Sequence, residues 1–217
     1  MRTGLLDRRT RTHPTAVTRA WAVAVLVACA AGVVLLQGVV GTRSGQRVDR
    51  GVLQNVLELV GTRTGATHTV LSATTELSVL AVLGVLVGVA LVRRRPALAL
   101  GAAAIVLGSS ATTALLKLVL GGSLPSGHTT AVAGLSCAAV LVAPRWARPV
   151  LALLGLAATI VEGTATMVAG WHRPVDLLAA CLVALGWTAL VVALAPRVVA
   201  LAPKVVALAP RGATIGE

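Results

Sequence analysis

Charge is what this sequence has least of. Only 12% of its 217 residues are Asp, Glu, Lys or Arg, against 57% hydrophobic, and the mean hydropathy is +0.91. A water-soluble domain of this length cannot hide so much apolar surface, so part of its solvent must be lipid. Phe and Tyr are absent altogether, which removes the usual stacking platforms for single-stranded nucleic acid. The net charge of +12 would otherwise suit a polyanion. The arginines, however, fall in short clusters between apolar runs, as they do at the cytoplasmic flanks of membrane spans. No nucleic-acid partner is expected. Cysteine is scarce and unpatterned: Cys29, Cys137 and Cys181 lack any C-x-x-C spacing, which excludes a disulfide framework or a zinc site. Each reads as a small buried hydrophobe. Trp21, Trp146, Trp171 and Trp187 lie at or just inside the ends of apolar runs, and interfacial anchoring accounts for most of them.

What is present is a series of six apolar segments, at about 20–40, 75–92, 97–116, 128–143, 150–169 and 175–195. Each approaches the ~20 residues that a helix needs to cross a ~30 Å hydrocarbon layer. Lipid offers no partners to backbone N–H and C=O groups, so the segments should be helices. The expected fold is an all-α, polytopic membrane helix bundle of about six transmembrane helices. Residues 1–19 form a basic N-terminal segment, 20–195 the membrane unit and 196–217 a low-complexity basic tail. The run "LVAC" at 26–29 resembles a lipoprotein processing box, but the apolar stretch continues through Val40, so a retained first span is expected. Arginines cluster before the first segment, at Arg93–Arg95, and at Arg145 and Arg148. Alternate connections are therefore the basic ones, which puts them and both termini in the cytoplasm. The external side receives the 41–74 loop, in which "VLQNVLELV" (52–60) has the spacing of an amphipathic surface helix. In the tail, "VVALAPR VVALAPK VVALAPR" carries a proline in every unit, which argues against an unbroken helix.

Two polar stretches interrupt this pattern: "KLVLGGSLPSGHTT" at 117–130 and "GWHRPVD" at 170–176. Two apolar segments separate His128 from His172, and two crossings return a chain to the side it left. Lys117 is too close to His128 for a further crossing. Lys117, Ser126, His128, His172, Arg173 and Asp176 should therefore share one face of the membrane, the external one. Ser126 is suited to N-cap a helix, leaving the N–H groups of Gly127, His128 and Thr129 free for an anion. Pro174 suits the first turn of another helix, which places Asp176 where it can fold back on the His172 imidazole. An anion cradle, a nearby cation and two histidines suit phosphoryl transfer, which depends on positioning and charge stabilisation. Glu162, inside the fifth segment, stands apart. An ionisable group at that depth faces the bundle interior, where it could partner Lys117 or be held protonated.

These residues resemble the type 2 phosphatidic acid phosphatase family, whose core is shared with vanadium haloperoxidases and bacterial acid phosphatases. That family has three blocks: K-x6-R-P, P-S-G-H and S-R-x5-H-x3-D. Here the second stands intact as Pro125-Ser126-Gly127-His128, and the third matches at His172 and Asp176. The first matches at Lys117 and Pro125, with Leu124 in place of its arginine, and Ala165-Thr166 replace Ser-Arg in the third. The resemblance covers roughly 75–195. It implies that His172 is the nucleophile, oriented by Asp176, and that His128 is the general acid. Ser126, Gly127, Thr129 and Lys117 would hold the phosphate, with Arg173 a candidate substitute for the absent arginines. No metal or other cofactor is implied. The expected function is hydrolysis of a phospholipid or polyprenyl (pyro)phosphate at the outer face of the cell membrane, through a phosphohistidine. The alternative is a catalytically weakened relative that binds phosphorylated lipid. A small transporter is a weaker third reading, since no homologous halves or broken mid-membrane helices are visible.

Overall fold

The computed structural model describes residues 16–61, 64–122 and 124–208, and every regular element among them is a helix. The chain runs α1 (Ala16–Val40), α2 (Arg43–Val60), α3 (Thr64–Ala73), α4 (Glu76–Val92), α5 (Pro96–Leu120), α6 (Gly127–Val142), α7 (Arg148–Val168) and α8 (Pro174–Leu208). All six apolar segments are thus helical, as α1 and α4 to α8. By length and composition α1, α5, α7 and the 174–195 part of α8 can each cross a bilayer. The pair α3 and α4, bent by 52° where they meet, qualifies only as a unit. With 16 residues α6 spans about 24 Å at 1.5 Å per residue, less than the hydrocarbon layer. It is surrounded by α4, α5, α7 and α8.

The molecule is oily outside and partly polar inside. Leu118, Leu153, Leu154 and Ile160 are exposed, while Ser109, Thr113, Thr129, Thr130 and Thr166 are buried. Lipid in place of water inverts the usual sorting, because isolated apolar side chains at the surface then cost nothing. The buried hydroxyls bond locally: Thr113 Oγ1 meets Thr130 Oγ1 at 3.1 Å, and Thr130 Oγ1 donates to the Ser126 carbonyl at 2.7 Å. An apolar cluster of Leu83, Ala102, Val106, Ala138 and Val142 joins α4, α5 and α6. At the C-terminal end of α6, Arg93 Nη1 donates to the Val142 carbonyl (3.0 Å) and Arg148 Nε to that of Ala143 (3.3 Å). Cations suit that end of a helix, where carbonyls are unpaired. The two basic turns therefore meet at one end of the bundle, opposite the end where α6 begins and carries His128 in its first turn.

Two elements differ from the sequence expectation. The 41–74 stretch is not a loop with one short helix: helix α2 already begins at Arg43, and α3 follows it into the bend before α4. Thr42 caps α2 by accepting from Gly45 N at 3.0 Å. Helix α8 runs through Pro196 and Pro203 to Leu208, where a break was expected. Each proline removes a single i→i−4 bond, and the seven-residue spacing leaves intact turns between them. The basic segment before Ala16 and the end of the tail beyond Leu208 lie outside the described residues.

Gly45 lies in the first turn of α2, packed against the end of α1. A Cβ there would overlap the Val39 carbonyl oxygen, a backbone atom already accepting from Thr42 N and Thr42 Oγ1. Gly45→Ala is expected to destabilise the fold by about 1–3 kcal/mol, the usual cost of forced overpacking. A lower Tm in detergent checks this.

Candidate active site

The start of α6 is built by Ser126. Its Oγ lies 3.4 Å from Thr129 N and accepts from Thr129 Oγ1 at 3.0 Å. This N-cap takes up the Thr129 amide, which the sequence suggested would be free, and leaves those of Gly127 and His128 for an anion. Ser126 itself is fully buried, and its own N–H donates to the Asp176 carbonyl at 3.1 Å. One backbone bond thus ties the start of α6 to the start of α8, across fifty positions of sequence. The Leu124–Pro125 peptide before it is cis.

Lys117 approaches from the last turn of α5. The chain then turns at Gly121, a left-handed residue with φ 62°, whose N–H donates to the Lys117 carbonyl at 3.0 Å. The Lys117 ammonium comes within 3.6 Å of where a Cβ on Gly127 would stand. That is an ordinary contact distance, and it places the cation beside the first residue of α6.

The second motif opens α8. Asp176 is 2% exposed, and its Oδ2 lies 3.2 Å from His172 Nδ1 and accepts from Arg173 N at 3.0 Å. The latter is half of a capping box, in which a third-position side chain satisfies the N-cap amide. An ionised carboxylate can only accept, so Nδ1 carries the proton in this pair. The neutral ring then presents the Nε2 lone pair away from Asp176. His172 N also donates to the Thr166 carbonyl at 3.3 Å. The Arg173 side chain is exposed at the rim.

The His128 ring lies beside Trp171, centroids 5.7 Å apart and planes tilted by 50°. Trp171 directly precedes His172, so the segment that opens α8 lies against the first turn of α6. Lys117, Ser126, Gly127, Thr129, His128, His172 and Asp176 are all brought together at this end of the bundle. A helix start, a cation, an oriented imidazole and a second histidine can hold a tetrahedral anion, attack it and protonate its leaving group.

Other side chains entered that sequence reasoning did not foresee. Asp49, buried in α2, accepts from Val175 N at 3.0 Å through Oδ1 and so caps α8 from a distant helix. Trp171 is more than an interfacial anchor, since it flanks His128. Glu162 is bonded by Thr74 Oγ1 at 3.0 Å, and among the described residues no ion pair joins it to Lys117.

The two positions where the resembled motifs carry arginine are occupied in another way. Leu124 is 5% exposed and packs with Val175 and Ala179 against Leu36 and Val40. Thr166 is fully buried and donates to the Gly163 carbonyl at 2.8 Å. Restoring arginine by Leu124→Arg would push a guanidinium into an apolar cluster. The expected result is a loss of stability on the order of several kcal/mol and no gain in phosphate affinity, measured as Tm and inorganic phosphate binding.

With the geometry in hand, comparison with known proteins gives one family. The model described as the PAP2 superfamily matches residues 68–200, from α3 into α8. No curated protein and no solved structure matches the chain.

Proposed function

The chain belongs to the PAP2 superfamily, so hydrolysis of phosphate esters is its expected chemistry, and we propose that its substrate is a lipid phosphate or polyprenyl pyrophosphate. The observation that carries the reading is the pairing of His172 Nδ1 with buried Asp176, tied by the Ser126–Asp176 backbone bond to the helix start that bears His128. In this mechanism His172 Nε2 attacks phosphorus while the bond from phosphorus to the ester oxygen breaks. That oxygen takes a proton from His128. Water then attacks the phosphohistidine, giving its proton to His128 as the N–P bond breaks and inorganic phosphate leaves. Lys117, the Gly127 amide and the Ser126–Thr129 turn hold the non-bridging oxygens throughout.

A lipid substrate is supported by an apolar cavity of about 270 Å³ between α1, α5 and α8, lined by Leu26, Val33, Leu116, Leu182 and Trp187 among others. The positive-inside pattern supports an external site in the cell membrane. Purified protein should release phosphate from phosphatidate or a polyprenyl diphosphate in detergent micelles, and more slowly from a short-chain phosphate ester. Equal rates on long and short chains would remove the lipid assignment.

A second reading has its own support. With Leu124 and Thr166 buried in structural roles, no bidentate clamp stands at either motif position, and lysine cannot reproduce one. A binder of phosphorylated lipid would retain lipid-phosphate affinity yet show neither turnover nor a trapped phosphoenzyme.

A further inference from the structure

Glu162 is the only acid of α7 and is 3% exposed. Its Oε2 accepts from Thr74, while its Oε1 is enclosed without a hydrogen-bond partner. As packing alone this is an expensive choice, because a buried carboxylate costs several kcal/mol unless a charge or hydrogen bonds compensate it. Two observations indicate what it faces. The next residue, Gly163, stands against the first turn of α6, where a Cβ would lie 3.8 Å from Thr129 Oγ1. His128 belongs to that same turn. The other charged or titratable groups of this end are engaged or turned outward. Asp176 holds His172, Asp49 caps α8 through Oδ1 while its Oδ2 is likewise enclosed without a hydrogen-bond partner, and Lys117 lies over Gly127. Arg173, Glu76 and His68 are exposed.

We infer that Glu162 is a positioning residue for His128: its carboxylate balances the charge of the protonated imidazole and turns the ring toward the leaving oxygen. The inference rests on the reading of His128 as general acid. The two imidazoles would then each have a carboxylate of their own, Asp176 for the one that attacks and Glu162 for the one that donates. When His128 gives its proton to the leaving oxygen, the neighbouring carboxylate is left without its counter-charge. It therefore favours the return of a proton from the hydrolytic water in the second step.

The test is the rate of phosphoenzyme formation in a single turnover, measured with an alkyl phosphate and with nitrophenyl phosphate. The nitrophenolate departs without needing a proton. General acids contribute about 10²–10⁴-fold, so a residue that positions one should account for about 10- to 100-fold of it. Glu162→Gln is expected to slow formation from the alkyl ester by that factor and from the nitrophenyl ester by less than about 3-fold. Glu162→Asp, which keeps the charge, should recover part of the loss. Equal losses on both esters, or no loss on either, would overturn the inference. If Glu162→Gln does not fold, the same two-ester comparison on Glu162→Asp decides, with a loss confined to the alkyl ester in support and any other pattern against. A His172→Ala protein that still forms phosphoenzyme would instead bring down the underlying mechanism, so the two failures are separable.

Discussion

His172→Ala is expected to abolish phosphate release, lowering kcat by roughly four to six orders of magnitude, as removal of an enzyme's nucleophile does. The expectation follows from how the ring is held. Asp176 occupies Nδ1 at 3.2 Å, and the backbone of His172 is anchored to the Thr166 carbonyl, so Nε2 is the nitrogen left to form a bond. Alanine removes that atom without disturbing the anchor, which uses only the main chain. Quenching wild-type protein during turnover should trap an acid-labile, base-stable phosphoenzyme that is missing from the variant. A variant that still accumulated phosphoenzyme would show that the nucleophile lies elsewhere.

Asp176→Asn is the second large effect, and it bears on the His172 ring and on the start of α8 together. Oδ2 serves both the His172 ring and the Arg173 amide, so asparagine either keeps its oxygen there and retains both bonds without the charge, or turns its –NH₂ there and gives up the cap of α8 as well. What it loses is the guarantee that Nδ1 is the protonated nitrogen. An amide –NH₂ facing the ring reverses that bond and moves the proton to Nε2, which silences the lone pair. The comparable change in serine-protease triads costs about 10⁴-fold, and a fall of about 10³–10⁴ in kcat is expected here on the same reasoning. Steady-state phosphate release alongside thermal unfolding measures both halves. A variant near wild-type rate would mean that the carboxylate serves α8 alone.

The parts of this site that local sequence could reveal are those fixed by short-range geometry or by counting crossings. Asp176 folding onto His172 follows from i,i+4 spacing at a helix start. The meeting of the 117–130 and 170–176 stretches follows because α6 and α7 run out and back between them. Asp49 left no comparable trace: its bond to Val175 spans 126 positions, and nothing in "QRVDRG" distinguishes that acid from a solvated one. Glu162 was visible as an anomaly, but its partner Thr74 lies at a bend that composition does not announce. Proline misled in the tail, because its cost in one turn was read as a veto on the whole helix. Leucine at 124 was read as a missing arginine, whereas the fold uses it to seal α8 against α1.

The bond from Ser126 N to the Asp176 carbonyl has a bearing on how such a site changes over time. It fastens the starts of α6 and α8 together through peptide groups, which most point substitutions leave untouched; at position 126 only proline would delete the donor. Side chains that merely grip the substrate can therefore be exchanged while the histidines remain in register. A chain stapled in this way can lose its guanidinium clamps and still keep a working frame, ready to accept a replacement cation from another direction.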